Sequence, residues 1–243
     1  MKKLTLYLAD KPFAGTAIGV VLILTWGSLL GFALSRPLIW TDPMIIFLIW
    51  GMTHLYTGLF ITAHDAMHGT VAKNKLLNAW MGRICTFLFM FNNYDLLRTK
   101  HYLHHRFPGT DQDPDFHREK AGFWFWYGSF LRQYLDWKQF LAAAITFNVA
   151  GIWIDKPKLV LFWIIPSALS TLQLFYFGTF VPHMGEHAPE NKHRASSQNL
   201  NHLKAFLTCY FFGYHYEHHE LPRTPWWLLW RTKEQLSPHT TLQ

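Results

Sequence analysis

The sequence predicts an all-α fold, an integral membrane helical bundle with four transmembrane helices and additional interfacial helices. Several apolar runs are long enough to cross a bilayer, and three histidine clusters repeat at helical spacing. The chain has 243 residues, of which 50% are hydrophobic and 18% aromatic. Because no internal repeat or low-complexity linker divides the runs, we expect residues 1–243 to form a single domain.

Four apolar runs mark the transmembrane helices. An α-helix rises about 1.5 Å per residue, so about 20 residues cross a hydrocarbon core of roughly 30 Å. The runs Phe13–Leu34, Met44–Ala63 and Leu159–Val181 contain 22, 20 and 23 residues. Phe140–Ile154 has only 15, but a four-residue turn joins it to the next run like the tip of a helical hairpin. We therefore place the spans at about 13–34, 44–63, 138–154 and 159–181.

The segments between the spans also have predicted places. The second helix should continue to His68 and end at Gly69, which carries the two histidines of its last turn beyond the bilayer. Leu76–Phe91 is apolar but contains polar residues, so we expect a helix lying at the membrane interface. Ala121–Phe130 is rich in Trp and Phe, which is typical of an aromatic belt at headgroup depth. These aromatic rings could also line a tunnel for a long polyene.

The distribution of basic residues predicts the orientation. With four spans, the two short loops after the first and third spans lie on one side, and they carry only Arg36, Lys156 and Lys158 of the 22 basic residues. The other 19 lie with both chain ends and all three histidine clusters, so we expect that side to be cytoplasmic. This asymmetry also explains the net charge of +7 without nucleic-acid binding. The first apolar run is too long for a typical signal peptide, so we expect a retained span.

Three clusters hold eight of the 15 histidines: His64-Asp-Ala-Met-His68, His101-Tyr-Leu-His104-His105 and His215-Tyr-Glu-His218-His219. Within each cluster, histidines recur after three or four residues, which places imidazoles on one helix face. Eight rings exceed what one ion can use, so the clusters predict more than one transition-metal ion. Cys85 and Cys209 form no CxxC pair and are expected to pack as small apolar residues, so a structural zinc site is disfavoured.

The longer motifs around the clusters resemble a known family. The segments HDAMHG, HYLHHRFPGTDQDPDFH, FGTFVPH and HYEHHELP are similar to the bacterial and cyanobacterial β-carotene ketolases, which belong to the membrane-bound fatty acid desaturase and hydroxylase superfamily. The resemblance extends from about Trp40 to Trp227. It implies a non-haem centre of two iron ions (Fe²⁺), O₂ as cosubstrate and electrons from a reduced ferredoxin-like donor. It also implies a carotenoid substrate taken from the membrane lipids.

The implied reaction converts the C4 methylene of the β-ionone rings of β-carotene to a ketone through two successive hydroxylations. The products would be echinenone and canthaxanthin, and astaxanthin from hydroxylated precursors. Carried over residue by residue, the resemblance implies nine metal ligands: His64, His68, His101, His104, His105, His183, His215, His218 and His219. His187 is the alternative to His183, because it lies four residues further along and Pro182 disturbs the local helix.

Other polar residues near the motifs have weaker assignments. Ligating histidines usually donate their second N–H to a carboxylate or carbonyl group, so we expect Asp65 to support catalysis in this way. Glu217 also lies within a cluster. Asp111, Asp113 and Asp115 follow the second cluster in the DQDPD run, which we expect to be a solvated turn, with a role behind the ligating histidines as the alternative. His54 is rotated by about 280° from His64 and points off the ligand face. We expect it to be hydrogen bonded within the membrane, with a role at the substrate site as the alternative.

Four further histidines are expected at the surface or behind the ligands: His117, His193, His202 and His239. The sequence leaves two alternative functions of the same superfamily open, a carotenoid 3-hydroxylase and a lipid desaturase or hydroxylase, because all share the histidine clusters. A membrane metal transporter without catalysis is a third alternative. It would need a path of ionisable residues through the bilayer, and only His54 lies deep within the long spans.

Overall fold

The computed structural model describes residues 13–117 and 122–240, and these residues form ten helices and no strand. The two chain ends, which are predicted to be cytoplasmic, lie outside the described residues. The side chain of His239, which is expected at the surface or behind the ligands, is also outside the description. The helices are α1 Ala14–Ser35, α2 Met44–Met67, α3 Lys75–Leu88, α4 Tyr94–Arg106, α5 Phe123–Tyr134, α6 Trp137–Ala150, α7 Lys156–His183, α8 His202–Cys209, α9 His215–Glu220 and α10 Trp226–Thr240. The all-α prediction is confirmed for the described residues.

Three of these helices, α1, α2 and α7, are long and apolar enough to span a membrane, with 22, 24 and 28 residues. They coincide with three of the four predicted spans. The predicted span at 138–154 is also helical, but α6 contains only 14 residues, which corresponds to about 21 Å. Residues 151–154 form a turn instead of continuing the helix. The fourth crossing therefore stays a prediction.

Helix α2 is the centre of the bundle. It packs against α1, α3 and α7, and its second half is almost entirely buried. It ends at Met67, and Gly69 adopts a φ of +75°, a left-handed conformation that favours glycine after a helix. The side chain of Asn78 on α3 donates to the carbonyl oxygen of Ala66 over 2.6 Å and accepts from the backbone of Val71. These bonds fix the chain just beyond the first histidine cluster.

Helix α7 contains two π-helical turns, Val160–Ile164 and Tyr176–Phe180. Each turn directly precedes a segment with a proline in its first turn, at Pro166 and Pro182. Proline lacks an N–H and clashes with the carbonyl group four residues earlier, so the wider π turn accommodates the ring without ending the helix. The second π turn therefore resolves the difficulty expected at Pro182, because the helix continues through His183.

Candidate metal centre

The nine predicted ligands separate into two groups in the structure. The larger one, called here the five-histidine group, contains His64, His68, His101, His105 and His218. Their potential ligand atoms lie within 4.8 Å of one another. The Nε2 atom of His218 is 3.2 Å from that of His64 and 2.9 Å from that of His105, and His68 and His101 approach to 2.7 Å. Helices α2, α4 and α9 supply four of these rings, and His68 directly follows the end of α2.

The smaller one, the four-histidine group, contains His104, His183, His215 and His219, and all four rings are buried. The Nε2 atom of His219 is 3.0 Å from those of His104 and His215. The Nε2 atom of His183 is also 3.0 Å from that of His215. Helices α4, α7 and α9 supply these rings, so α4 and α9 each contribute to both groups.

Helical spacing explains how the second and third clusters divide. Side chains at i, i+3 and i+4 lie near one helix face, but the i+4 residue is offset by about 40° and the i+3 residue by about 60° in the opposite direction. In α4, the i,i+4 pair His101 and His105 enters the five-histidine group, and His104 enters the other. In α9 the roles are reversed, because the pair His215 and His219 enters the four-histidine group and His218 the larger one. Each short helix thus reaches both groups.

The protonation of these rings suits cation binding. Burial lowers the pKa of several rings outside the spanning helices, and neighbouring imidazoles lower it further: His101, His105, His215, His218 and His219. These five rings are therefore neutral, which is the ligand form. For His104, burial lowers the pKa, but the facing carboxylates of Asp115 and Asp113 outweigh this effect and raise the pKa above its usual value. Two neutral imidazoles that face each other through Nε2 share at most one useful hydrogen bond, so a set of converging lone pairs fits a metal ion better. The donor set fits two ions but does not name the metal.

Three groups behind the rings hold specific tautomers. The Nδ1 atom of His104 is 2.9 Å from Oδ1 of Asp113, and that of His64 is 3.3 Å from Oδ1 of Asp65. His183 donates from Nδ1 to a backbone carbonyl oxygen over 2.7 Å. A hydrogen bond at Nδ1 leaves the Nε2 lone pair for a metal. Asp65 thus lies where the sequence predicted, and its Oδ2 also accepts from the backbone N–H of Trp226 over 2.8 Å.

The expectation of a solvated turn was wrong for Asp113 and Asp115, because both are buried. Asp113 accepts hydrogen bonds from the backbone N–H groups of Gly109 and Asp115, over 2.8 and 2.9 Å. Asp115 accepts from the hydroxyl group of Tyr134, and burial raises the pKa of Asp115 to about 6. The turn therefore folds back under α4. In the sequence, only the closeness of the acidic run to the second cluster indicated that these aspartates would be buried beside the histidines.

The structure places the two uncertain histidines differently. His183 joins the four-histidine group, whereas His187 belongs to neither, and its Nε2 atom has no hydrogen-bond partner among the described residues. His54 also lies outside both groups, as expected. The hydrogen bond expected for it is absent, because neither of its ring nitrogens has a partner in the described part of the chain. Its ring instead stacks on that of Tyr210, with the centroids 4.3 Å apart.

The remaining histidines of the sequence analysis and Glu217 lie outside the two histidine groups. His193 bonds to Glu220 over 2.8 Å, and His202 lies 3.0 Å from the hydroxyl group of Tyr214. His117 is not part of either group. Glu217 does not contact a histidine Nδ1 atom. It forms a buried ion pair with Lys233 over 3.0 Å, which ties α10 to the short helix that carries the third cluster.

A largely apolar cavity of about 290 Å³ adjoins both groups. Its wall includes His64 and His101 from the five-histidine group and His104 and His215 from the other. Apolar side chains of α2, α5, α6 and α7 form most of the remaining wall. Residues of the aromatic segment divide between the cavity and the protein surface, and the aromatic belt and the polyene tunnel both stay predictions. Phe130 and its neighbours line the cavity, while Trp124 and Phe125 point outward with exposed fractions of 70% and 76%.

Comparisons with known proteins agree with this site. The profile of the family described as fatty acid desaturase matches residues 39–142 and 131–240. The chain is 42% identical to a β-carotene ketolase of Paracoccus sp. (strain PC1), over 76% of this chain and 77% of that protein. It is 40% identical to a β-carotene ketolase of Haematococcus lacustris, over 72% and 58% of the two chains. It is also 36% identical to a zeaxanthin 4-ketolase of Chlamydomonas reinhardtii, over 88% and 52%.

No solved structure matches the chain significantly. The family assignment therefore depends on the sequence profile and on these relatives, and the profile matches span most of the chain, including every histidine of the two groups. The three relatives all have ketolase in their names. The chain belongs to the fatty acid desaturase family, and within it to the β-carotene ketolases.

Proposed function

We propose that this protein is a carotenoid oxygenase that converts the C4 methylene of a β-ionone ring to a 4-ketone. The observation that carries the proposal is the cavity, because an apolar space meets histidines of both groups. An apolar wall suits a hydrocarbon ring and polyene, and the histidines bring the metal centre to one end of that space. The names of the relatives support the same substrate class.

The nine histidines are proposed to hold two iron ions, one in each group. The bound ions would supply the activation of O₂ and the removal of hydrogen from C4, using electrons from a ferredoxin-like donor. Iron is favoured over zinc because the reaction needs a redox metal and the donor set contains no cysteine. Asp113, Asp65 and the carbonyl oxygen of Arg194 would keep the Nε2 atoms of His104, His64 and His183 directed at the ions.

The cavity wall is proposed to perform the remaining work. It holds the ring with C4 directed at the histidines and excludes water from the reacting carbon. The reaction needs two oxidations of one carbon. The first gives the 4-alcohol, and the second gives a gem-diol that loses water to leave the ketone. The alcohol must therefore stay in the cavity, or return to it, in the same orientation.

We also propose that the chain is a single domain with four crossings and a cytoplasmic metal centre. Lys158 donates to the carbonyl oxygen of Leu34 over 3.4 Å, so the start of α7 lies beside the end of α1. At the other end of α6, the side chain of Gln139 donates to the carbonyl oxygen of Met90 over 2.8 Å, close to the cavity. Residues 137–155 thus lead from the histidine end of the bundle to the opposite end, which supports a fourth crossing.

Expression in cells that accumulate β-carotene tests the proposed reaction. We expect 4-hydroxy carotenoids early and 4-keto carotenoids late, when pigments are separated by chromatography and identified by mass and absorption spectra. The matched control is the His104→Ala variant, which removes a ring of the four-histidine group and should yield no ketone. Products oxidised only at C3 would make the protein a hydroxylase. New double bonds in acyl chains with untouched carotenoids would make it a desaturase.

A further inference from the structure

The two histidine groups differ in how close they lie to the protein surface. All four rings of the four-histidine group are buried. In the five-histidine group, His68, His101 and His105 are partly exposed. Electron transfer between proteins becomes slower very steeply with distance, so a soluble donor has to dock where the centre lies nearest the surface. That place is the side of the five-histidine group formed by the end of α2 and the helix α4.

Tyr102 connects this side to the solvent. Its side chain is 42% exposed, and its ring centroid is 6.3 Å from that of His68. The hydroxyl group donates to the carbonyl oxygen of Met67, which fixes the ring at the end of α2. An exposed aromatic ring is thus held beside a ring of the five-histidine group. The oxygenase reaction proposed above gives this tyrosine no other role.

Two arginines flank the same place. The guanidinium group of Arg98 lies 5.3 Å from the centroid of the Tyr102 ring, and its Nε donates to the tyrosine hydroxyl over 3.4 Å. Arg223 is exposed and follows His219 of the third cluster by four residues. Neither arginine forms an ion pair with a carboxylate of the described residues, in contrast to Arg83, which pairs with Asp95. Both charges are therefore available to a partner.

We propose that Arg98, Tyr102 and Arg223 form the docking surface for an acidic, soluble one-electron carrier. The proposal rests on the oxygenase function proposed above. Unpaired arginines attract an acidic protein and set its orientation, and the tyrosine ring gives the carrier contact with the five-histidine group. Anionic lipid headgroups would also bind two arginines, but they would not require an aromatic ring beside His68. The structure therefore favours a protein donor at this surface.

The number of electrons that each ketone requires means that several carriers must bind at this surface in turn. Each hydroxylation follows the balance R–CH₂–R′ + O₂ + 2 e⁻ + 2 H⁺ → R–CH(OH)–R′ + H₂O. The carbon is oxidised by two electrons, O₂ is reduced by four, and two one-electron carriers are each oxidised once. The second hydroxylation at the same carbon needs two more carriers. One ketone thus requires four docking events, and weak, charge-steered binding suits such rapid exchange.

The test compares charge reversal at two places. The Arg98→Glu/Arg223→Glu variant is assayed with a reduced acidic [2Fe–2S] ferredoxin and, separately, with dithionite and methyl viologen, which need no protein surface. We expect the KM for ferredoxin to rise about tenfold at low salt, and this difference to shrink as salt screens the charges. At low ferredoxin concentration, the ratio of the ferredoxin-driven rate to the mediator-driven rate should also fall about tenfold. The Arg132→Glu/Lys138→Glu variant carries the same change in net charge elsewhere and is the control.

Tyr102 is tested by two substitutions. Tyr102→Phe keeps the ring, whereas Tyr102→Leu removes it, so only the second should slow ferredoxin oxidation at saturating donor in stopped-flow measurements. Equal ferredoxin KM values for both charge-reversal variants would overturn the docking surface. So would weaker flotation of the Arg98→Glu/Arg223→Glu variant with anionic vesicles at an unchanged KM. Failure of the wild-type protein to oxidise carotenoid with either donor would instead contradict the proposed function.

Discussion

At the scale of single residues, Asp113 connects the second histidine cluster to the loop that follows it. Its buried carboxylate lies 2.9 Å from Nδ1 of His104 and accepts two backbone N–H groups, from Gly109 and Asp115. A buried carboxylate is stable only when its oxygens are hydrogen bonded, and here all of these partners are supplied. The same bonds that stabilise the turn therefore fix the orientation of one ring in the four-histidine group.

Replacing Asp113 should weaken metal binding while the protein remains folded. The Asp113→Asn variant keeps the size of the side chain but loses the charge that holds His104 in one tautomer. We expect about a 10- to 100-fold loss of metal affinity or ketone formation, which is typical for groups that orient metal ligands. Iron content by elemental analysis and ketone yield measure the effect. The control is Asp95→Asn, whose carboxylate pairs with Arg83 at the surface; equal iron contents in the two variants would show that Asp113 does not orient a ligand.

At the scale of elements, α7 brings backbone close to the metal centre through its second π turn. A Cβ atom on Gly178 would lie 2.2 Å from the Phe212 ring, so only glycine permits this contact. The Phe212 ring in turn packs against His64 and His215, with centroid distances of 4.8 and 5.3 Å. One phenyl ring thus lies between the two histidine groups, and α7 determines its position.

The Gly178→Ala variant should therefore disturb the centre through Phe212. We expect a destabilisation of about 1–3 kcal/mol, as for other overpacked sites, together with reduced ketone formation. The Gly178→Ala/Phe212→Leu variant should recover part of the stability, because leucine leaves room for the methyl group. Thermal unfolding in detergent and pigment assays measure both effects. Gly27→Ala on α1 is the control, since nothing lies within 4 Å of a Cβ atom there. Equal unfolding temperatures for Gly178→Ala and Gly27→Ala would contradict the expected clash.

At the scale of the whole molecule, the cavity and the proposed docking surface use different side chains around the histidine groups. Helix α4 lines the cavity through Leu97, His101 and His104, whereas the docking surface uses Arg98 and Tyr102 of the same helix, together with Arg223 near the third cluster. We therefore expect that substrate and electron donor can be bound at the same time. The arrangement also agrees with the predicted orientation, which directs the histidine end toward the cytoplasm.

Cysteine labelling tests the four crossings and the orientation together. Cys85 and Cys209 are fully buried, so the wild-type chain should give little background with a membrane-impermeant maleimide. We expect Thr41→Cys and Asp155→Cys to be labelled in intact cells, because both lie in the loops opposite the histidine groups. Lys192→Cys should be labelled only after permeabilisation. Labelling of Asp155→Cys that requires permeabilisation would mean that residues 137–155 do not cross the membrane.

The apolar runs predicted most of the fold. Length and composition located α1, α2 and α7 closely, because a segment that crosses a bilayer has few alternatives to a helix. They did not predict that α6 would end at Ala150, since apolar character alone does not show where a helix stops. The π turns of α7 were also missed. Only the two prolines in its sequence indicated that the helix would be irregular.

The candidate site could be predicted as a set of histidines but not as two groups. The motifs indicated all nine rings, and the structure brings the nine into two sets, although their binding of ions stays a prediction. The assignment of individual rings depends on how α2, α4, α7 and α9 cross, which no local pattern encodes. The burial of Asp113 was missed for a related reason, because a turn that folds back under a helix has no periodicity. The cavity depends on residues from several distant helices.

The convergence of rings from distant parts of the chain has a consequence in polymer terms. His64 and His218 are separated by 154 positions, and His104 and His219 by 115. An ion bound in either group would therefore act as a cross-link that closes a long loop, much as a disulfide does. The unfolded chain does not hold these rings together, so an ion would bind the folded protein far more tightly, and its binding free energy would contribute directly to folding. Loss of an ion would remove a tether between the two ends of the sequence as well as a reactive centre.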